Sequence, residues 1–127
     1  MHTGRCLCGA VSFKVEGDLK APDACHCSQC RRQSGHYWAS TNVARDKLTV
    51  TGGDKVTWYR SSDEVRRGFC ATCGSFLFWD PLKHPVVAVG MGAFDKPTET
   101  RLHVHIGVAD KGDYYDIADG LPQRPGL

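Results

Sequence analysis

Residues 11–16 set the pattern for much of this chain. Val11, Phe13 and Val15 are apolar and alternate with Ser12, Lys14 and Glu16, the period of two that a half-buried strand requires. Gly17-Asp18 closes that strand. The β character resumes over 36–41, and residues 48–51 and 56–59 read as two more strands. Gly52-Gly53-Asp54 lies between these two and predicts a hairpin joining them. Further strands are expected over 65–69, 75–79, 86–89 and 102–106. The polar run Arg31-Arg32-Gln33-Ser34-Gly35 carries no strand signal and predicts a short helical turn ending at Gly35. There is no long amphipathic stretch, no linker and no repeat. Many short strands with Gly and Pro turns predict an all-β fold, as one domain over residues 1–127. The tail, Tyr114 to Ile117 and then Leu121-Pro122, is expected to pack along the surface.

Composition narrows the partners. A formal charge of +2 over 127 residues, with a pI near 8.2, is too mild to predict binding to nucleic acid or to a membrane surface. The longest apolar run, residues 86–89, is far too short to span a bilayer. Residues 1–5 reach a cysteine cluster at once and contain no apolar signal core, so a cytoplasmic location with reduced thiols is expected.

All seven cysteines fall in three clusters. Cys6 and Cys8 form C-x-C, Cys25, Cys27 and Cys30 form C-x-C-x-x-C, and Cys70 and Cys73 form C-x-x-C. Cysteine used as a small hydrophobe scatters among apolar runs, whereas these residues have ligand spacing. An odd number in a reducing compartment points to metal rather than to a disulfide framework. Structural zinc sites are closed tetrahedra, and catalytic ones keep a position open. Pairing Cys6/Cys8 with Cys70/Cys73 gives a closed site, and leaves Cys25, Cys27 and Cys30 as a triad with a vacant fourth position. The rival division lets the triad donate two thiols to Cys70/Cys73, and it splits the second site between distant segments. The first division is preferred. Four thiolates on zinc leave no Lewis acidity, whereas three leave room for a thiol, a water or a carbonyl.

The sequence around these clusters resembles a known family. Residues 4–9 (Gly-Arg-Cys-Leu-Cys-Gly), the Cys25-His26-Cys27-Ser28-Gln29-Cys30-Arg31 run with Ser34-Gly35 after it, and Phe69-Cys70-Ala71-Thr72-Cys73-Gly74 are similar to the glutathione-dependent formaldehyde-activating enzyme family. That family also contains the centromere protein V domain. The tail from Asp116 to Pro122 is similar to the family's ending. The resemblance implies a β-tent (Mss4-like) fold with two zinc ions, one structural on Cys6, Cys8, Cys70 and Cys73 and one catalytic on Cys25, Cys27 and Cys30. It also implies a carbon–sulfur lyase that interconverts formaldehyde plus glutathione with S-hydroxymethylglutathione. The long extension of the centromere branch is missing from this sequence.

Other residues carry chemistry with plainer explanations beside it. Arg31 and Arg32 are candidates for binding the carboxylates of glutathione, and Arg60, Arg66 and Arg67 are candidates to converge there from neighbouring strands. Solvated arginines, or arginines that offset thiolate charge, are the plainer expectation for each. His26 sits inside the triad as a candidate proton shuttle, although the middle side chain of C-x-C points away from a metal. His103 and His105 can share a strand face, and a structural role is expected for both. The aromatic residues read mainly as core and pocket walls. Two other classes of function remain open. A non-catalytic zinc-binding interaction module would close the triad site with a fourth ligand such as His26 or His36. A thiol redox or metal-sensing protein would oxidise the triad reversibly. The partner expected on the main reading is a small thiol or carbonyl substrate, and the oligomeric state is left open.

Overall fold

The computed structural model describes residues 1–127 and contains ten strands and one α-helix. Three strands form a small antiparallel sheet in the order β1–β2–β5: β1 (His2–Arg5), β2 (Ser12–Val15) and β5 (Leu48–Thr51). The other seven are β3 (Asp23–Cys25), β4 (Trp38–Ala44), β6 (Val56–Arg60), β7 (Val65–Cys70), β8 (Phe76–Pro81), β9 (Val86–Gly90) and β10 (Val104–Ile106). They form a seven-stranded sheet in the order β10–β3–β4–β9–β8–β7–β6, antiparallel except that β10 runs parallel to β3. The helix, α1 (Ser28–Ser34), follows β3 directly. The chain is thus mostly β, as its alternation predicts. No helix is long and apolar enough to cross a membrane.

The larger sheet buries both faces. One packs on the small sheet around Phe13, Phe78, Leu77, Val87 and Val89, with Phe13 edge-on to Phe78 and to Phe94. The other face carries Trp38, Ala88, Phe76 and Trp79 and meets the cysteine triad. An irregularity sorts the side chains of β8 between them. Gly68 pairs with Phe78 but Phe69 pairs with Phe76, so Leu77 is an extra residue in the ladder. Leu77 and Phe78 can then both enter the inter-sheet core, while Phe76 and Trp79 face the triad and Phe76 stacks on Trp38 with ring centroids 4.0 Å apart.

Three sequence expectations need correction. Residues 52–54 do not close a hairpin: β5 pairs with β2, and β6 pairs with β7, so the turn carries the chain from one sheet to the other. Gly52 has φ +78°, and a Cβ there would stand 2.1 Å from the Ala10 carbonyl oxygen, so this crossing needs glycine. Strands β1 and β3 were not expected at all; both are short and neither has a visible period. Finally, the tail does more than cover surface. Its backbone bonds to β10, from His105 N–H to Pro122 O and from Arg124 N–H to His105 O.

Candidate metal centre

The four-thiol cluster joins the two sheets. Cys6 and Cys8 lie in the β1–β2 turn, Cys70 ends β7 and Cys73 lies in the β7–β8 turn, so one site clamps a hairpin tip from each sheet. The two turns are built alike. Gly9 (φ +80°) donates its N–H to Cys6 O, and Gly74 (φ +79°) donates to Cys70 O. Backbone amides point at the sulfurs: Val11 N–H at Cys6 Sγ (3.3 Å), and Thr72 and Cys73 N–H at Cys70 Sγ (3.4 and 3.5 Å). Amide donors of this kind stabilise thiolates. The Ser75 hydroxyl and amide, with the Cys8 amide, hold the Cys73 thiol down to about 5.

The donor set fits zinc. Cys6 Sγ lies 3.7 Å from Cys8 Sγ, which lies 3.8 Å from Cys70 Sγ, and all four sulfurs are within 4.8 Å of one another. Zinc–sulfur bonds of about 2.3 Å at tetrahedral angles set sulfurs about 3.8 Å apart.

Cys25, Cys27 and Cys30 form the second cluster, also with sulfurs within 4.8 Å of one another. Local structure assembles it. Cys25 ends β3, Cys27 is the N-cap of α1, and Cys30 lies in the first helical turn. The Cys27 thiol takes the place of the usual capping oxygen and accepts from Cys30 N–H at 3.4 Å. Gly35, at φ +86°, ends the helix and donates its N–H to Arg31 O. Hydrogen bonds from the Cys25 and Cys30 thiols, reinforced by the Cys30 and Gln29 amides, hold Cys27 far below the ordinary thiol range. The same sharing with Cys27 and Cys30, added to burial, pushes Cys25 far up. Two of the three thiols are buried, as is one from each pair of the other cluster, so ligand spacing and core placement coincide.

No histidine or carboxylate joins this cluster as a fourth ligand. His26 is fully buried with both ring nitrogens engaged elsewhere. Asp119 anchors the chain that engages them. The carboxylate accepts only, so His105 Nε2–H donates to Asp119 Oδ2 at 2.7 Å. His105 Nδ1 is then the acceptor for His26 Nε2–H at 2.8 Å, and His26 Nδ1 accepts from the Tyr115 hydroxyl. Burial first, and then the neighbouring His105, His36 and Lys111, push His26 down to about 4, so it is the neutral donor and acceptor this chain needs. His26 is thus neither a ligand nor a shuttle facing the cluster. His36 is exposed and packs on Tyr37 and Tyr115. His103 bonds Pro22 O, so it forms no metal pair with His105.

The arginines separate by position. Arg31 Nε donates to Asp110 O, Arg60 bonds the carbonyls of Ser62 and Asp63, and Arg66 pairs with Asp80 while covering the Trp58 ring. Only Arg67 reaches the triad. It is buried, with Nη1 3.5 Å from Cys30 Sγ, and its guanidinium is also held by the Gln33 and Gln29 side-chain oxygens. Arg32 is exposed on α1. Strand alternation alone tells that Arg66 and Arg67 face opposite ways, a signal available in the sequence.

Beside the triad lies a cavity of about 200 Å³. Trp38, Trp79 and Ile106 form apolar walls, Asp23, Ser40 and Asn42 a polar edge, and Arg67 closes one side. Burial raises the Asp23 carboxyl despite the opposing charges of His103 and Arg124. None of Asp23, Ser40, Asn42 or Gln29 stands out in the sequence, because each reads as an ordinary polar position in a strand or turn.

A family model described as "Glutathione-dependent formaldehyde-activating enzyme" matches residues 1–110. A Halomonas elongata protein named "Putative glutathione-dependent formaldehyde-activating enzyme" is 30% identical, with 90% of this chain and 79% of the relative covered. An uncharacterized lyase of Schizosaccharomyces pombe is 27% identical over 93% of this chain and 86% of its own length. Among solved structures, a Rhodobacter sphaeroides protein matches with a TM-score of 0.64 and 25% identity, over 79% of this chain and 98% of that one.

Proposed function

This chain belongs to the glutathione-dependent formaldehyde-activating enzyme family, and from that premise we propose that it is a zinc-dependent carbon–sulfur lyase acting on glutathione or a related thiol adduct. One observation carries the reading. Three converging thiols with no fourth protein ligand stand beside a small cavity, while a separate four-thiol cluster holds the two sheets together. Cys6, Cys8, Cys70 and Cys73 would hold a structural zinc, and Cys25, Cys27 and Cys30 a catalytic one. Bound there, zinc supplies a Lewis acid that keeps a thiol ionised at neutral pH or polarises a carbonyl.

The reaction is an addition without redox change. A sulfur–carbon bond forms between the thiol and formaldehyde, and the thiol proton ends on the former carbonyl oxygen; the lyase direction reverses both. The residues of this chain provide the setting. Cys27, as helix cap, orients the cluster relative to the cavity. Arg67 offsets the negative charge of the thiols beside Cys30. Trp38, Trp79 and Ile106 exclude water from the reacting atoms, and Ser40 and Asn42 can hydrogen-bond the carbonyl or hydroxymethyl oxygen.

The test is the exchange rate between formaldehyde, glutathione and their adduct, followed by NMR with zinc-loaded protein against a protein-free control. Acceleration that is lost in Cys27→Ser is the expected result. No acceleration by fully zinc-loaded protein would overturn the lyase reading.

A further inference from the structure

On the other side of α1 from the triad cavity lies a second groove, of about 540 Å³, over β6 and β7. Gln29, Arg32, Gln33, Trp58, Tyr59 and Arg67 line it, and no carboxylate does. Arg67 sets its polarity. A guanidinium only donates, so both glutamines must meet it through oxygen, Gln29 Oε1 at 3.1 Å and Gln33 Oε1 at 3.2 Å. That fixes both carboxamides and leaves each NH₂ turned away from Arg67 with no acceptor. The groove therefore offers two amide donors and the exposed Arg32 guanidinium, beside Tyr59, the cross-strand neighbour of Arg67.

Its charge is also unbalanced. Asp80 neutralises Arg66 next door, but no carboxylate pairs with Arg67, and its Nε–H has no acceptor. The thiol cluster is its nearest anionic partner, through Cys30. The exposed Arg32, by contrast, meets no carboxylate in the groove, and its free charge favours an anion there.

Size points the same way. Cavities that enclose an elongated small molecule run from roughly 300 to 1,000 Å³. The triad cavity, at about 200 Å³, admits a reacting end but not a whole tripeptide. Arg67 lines both spaces, so the groove begins where the cavity stops.

We infer that the groove between α1 and β6–β7 is the subsite for a carboxylate of the thiol substrate, with Arg32 and the Gln29 and Gln33 amides as its donors and the reacting end of the ligand across Arg67 at the triad. The identity of the ligand rests on the proposed lyase reading; the anion preference of the groove does not.

The probe is S-methylglutathione, which keeps both carboxylates and has no thiol to engage a metal. It is titrated into zinc-loaded, ¹⁵N-labelled protein. Saturable shifts are expected at the Arg32 Nε–H and at the Gln29 and Gln33 side-chain amides. Binding should weaken about tenfold in Arg32→Glu and less in Arg32→Ala, as expected for one charge-assisted hydrogen bond. Lys83→Glu, an equal charge change at a distant exposed site, should leave binding unchanged. Absent or scattered shifts, or equal weakening in Lys83→Glu and Arg32→Glu, would overturn the subsite. The formaldehyde exchange assay is independent of this readout. Exchange without groove shifts removes the subsite and keeps the lyase; groove shifts without exchange do the reverse.

Discussion

His26 Nε2 lies 2.8 Å from His105 Nδ1, so the residue between two thiol donors of the triad loop is bonded to β10 and through it to Asp119 in the tail. The loop is held from beneath by this chain and by the bond from His26 N–H to Ile106 O. Outer partners of this kind tune metal retention by restricting where the ligands can go.

Cutting the chain at its far end should therefore loosen one metal and not the other. In Asp119→Ala, His105 loses its acceptor and is free to change tautomer, which removes the directed bond from His26. A chromogenic chelator should strip zinc from the triad about tenfold faster than in the parent protein, while release from the four-thiol cluster stays the same. Unchanged kinetics at both sites would show that the backbone alone fixes the loop.

The two clusters should also separate by their effect on folding. Cys70→Ser breaks the clamp between the sheets, where zinc binding is folding energy, and should abolish cooperative unfolding. Cys27→Ser should give a folded protein with one zinc fewer and no exchange activity. Metal content per chain with thermal melts decides this. Equal thermal loss in both variants would refute the division into structural and catalytic sites.

Much of this was legible in the sequence, because the signals were local. Alternation marked β2, an apolar run marked β9, and cysteine spacing marked both clusters, which each turn or cap builds from residues two or three apart. Partner choice was not local. Residues 48–51 and 56–59 flank a turn sequence suited to a hairpin, but β5 has its register with the distant β2, and β6 takes β7 across the short turn over residues 61–64 instead. The histidine chain was hidden for the same reason. His26 lies 79 residues from His105 and 89 from Tyr115, and each alone reads as an ordinary polar position. Arg67 was one of five candidate arginines, and only burial against Gln29, Gln33 and Cys30 distinguishes it.

Gly107 offers a sharper probe of the triad loop. It has φ +65°, and a Cβ there would stand 2.9 Å from Cys27 N and 3.2 Å from Cys27 Cα. Gly35 has φ +86° with nothing within 4 Å of such a Cβ. Both Gly→Ala changes incur the left-handed backbone cost, about 1–2 kcal/mol. Only Gly107→Ala also pushes on a thiol donor. It should lower zinc affinity at the triad, while Gly35→Ala lowers stability alone. Denaturant melts combined with competitive zinc titration separate the two effects, and matched zinc affinities would mean the loop yields without moving its sulfurs.

Asp80 provides a pH test away from either cluster. It is buried, and its carboxylate receives Arg45 Nη2 at 2.6 Å and Arg66 Nε at 2.8 Å. Burial alone would raise its pKa, but hydrogen bonds and charge from the two arginines outweigh this and hold it below the ordinary value of 3.8. A carboxyl depressed on folding contributes its full stability above the unfolded-state pKa and loses it as pH falls through the lower folded-state value. Asp80→Asn removes the charge and leaves one oxygen acceptor, so it should cost about 1–2 kcal/mol, reduced because both arginines are partly exposed. Zinc loss through thiol protonation destabilises parent and variant alike in acid, so the quantity to read is their difference. Urea melts from about pH 8 down to about pH 5 should run parallel, because Asp80 stays charged throughout that range. Convergence of the two curves above pH 5 would mean that the arginines do not hold this carboxyl low.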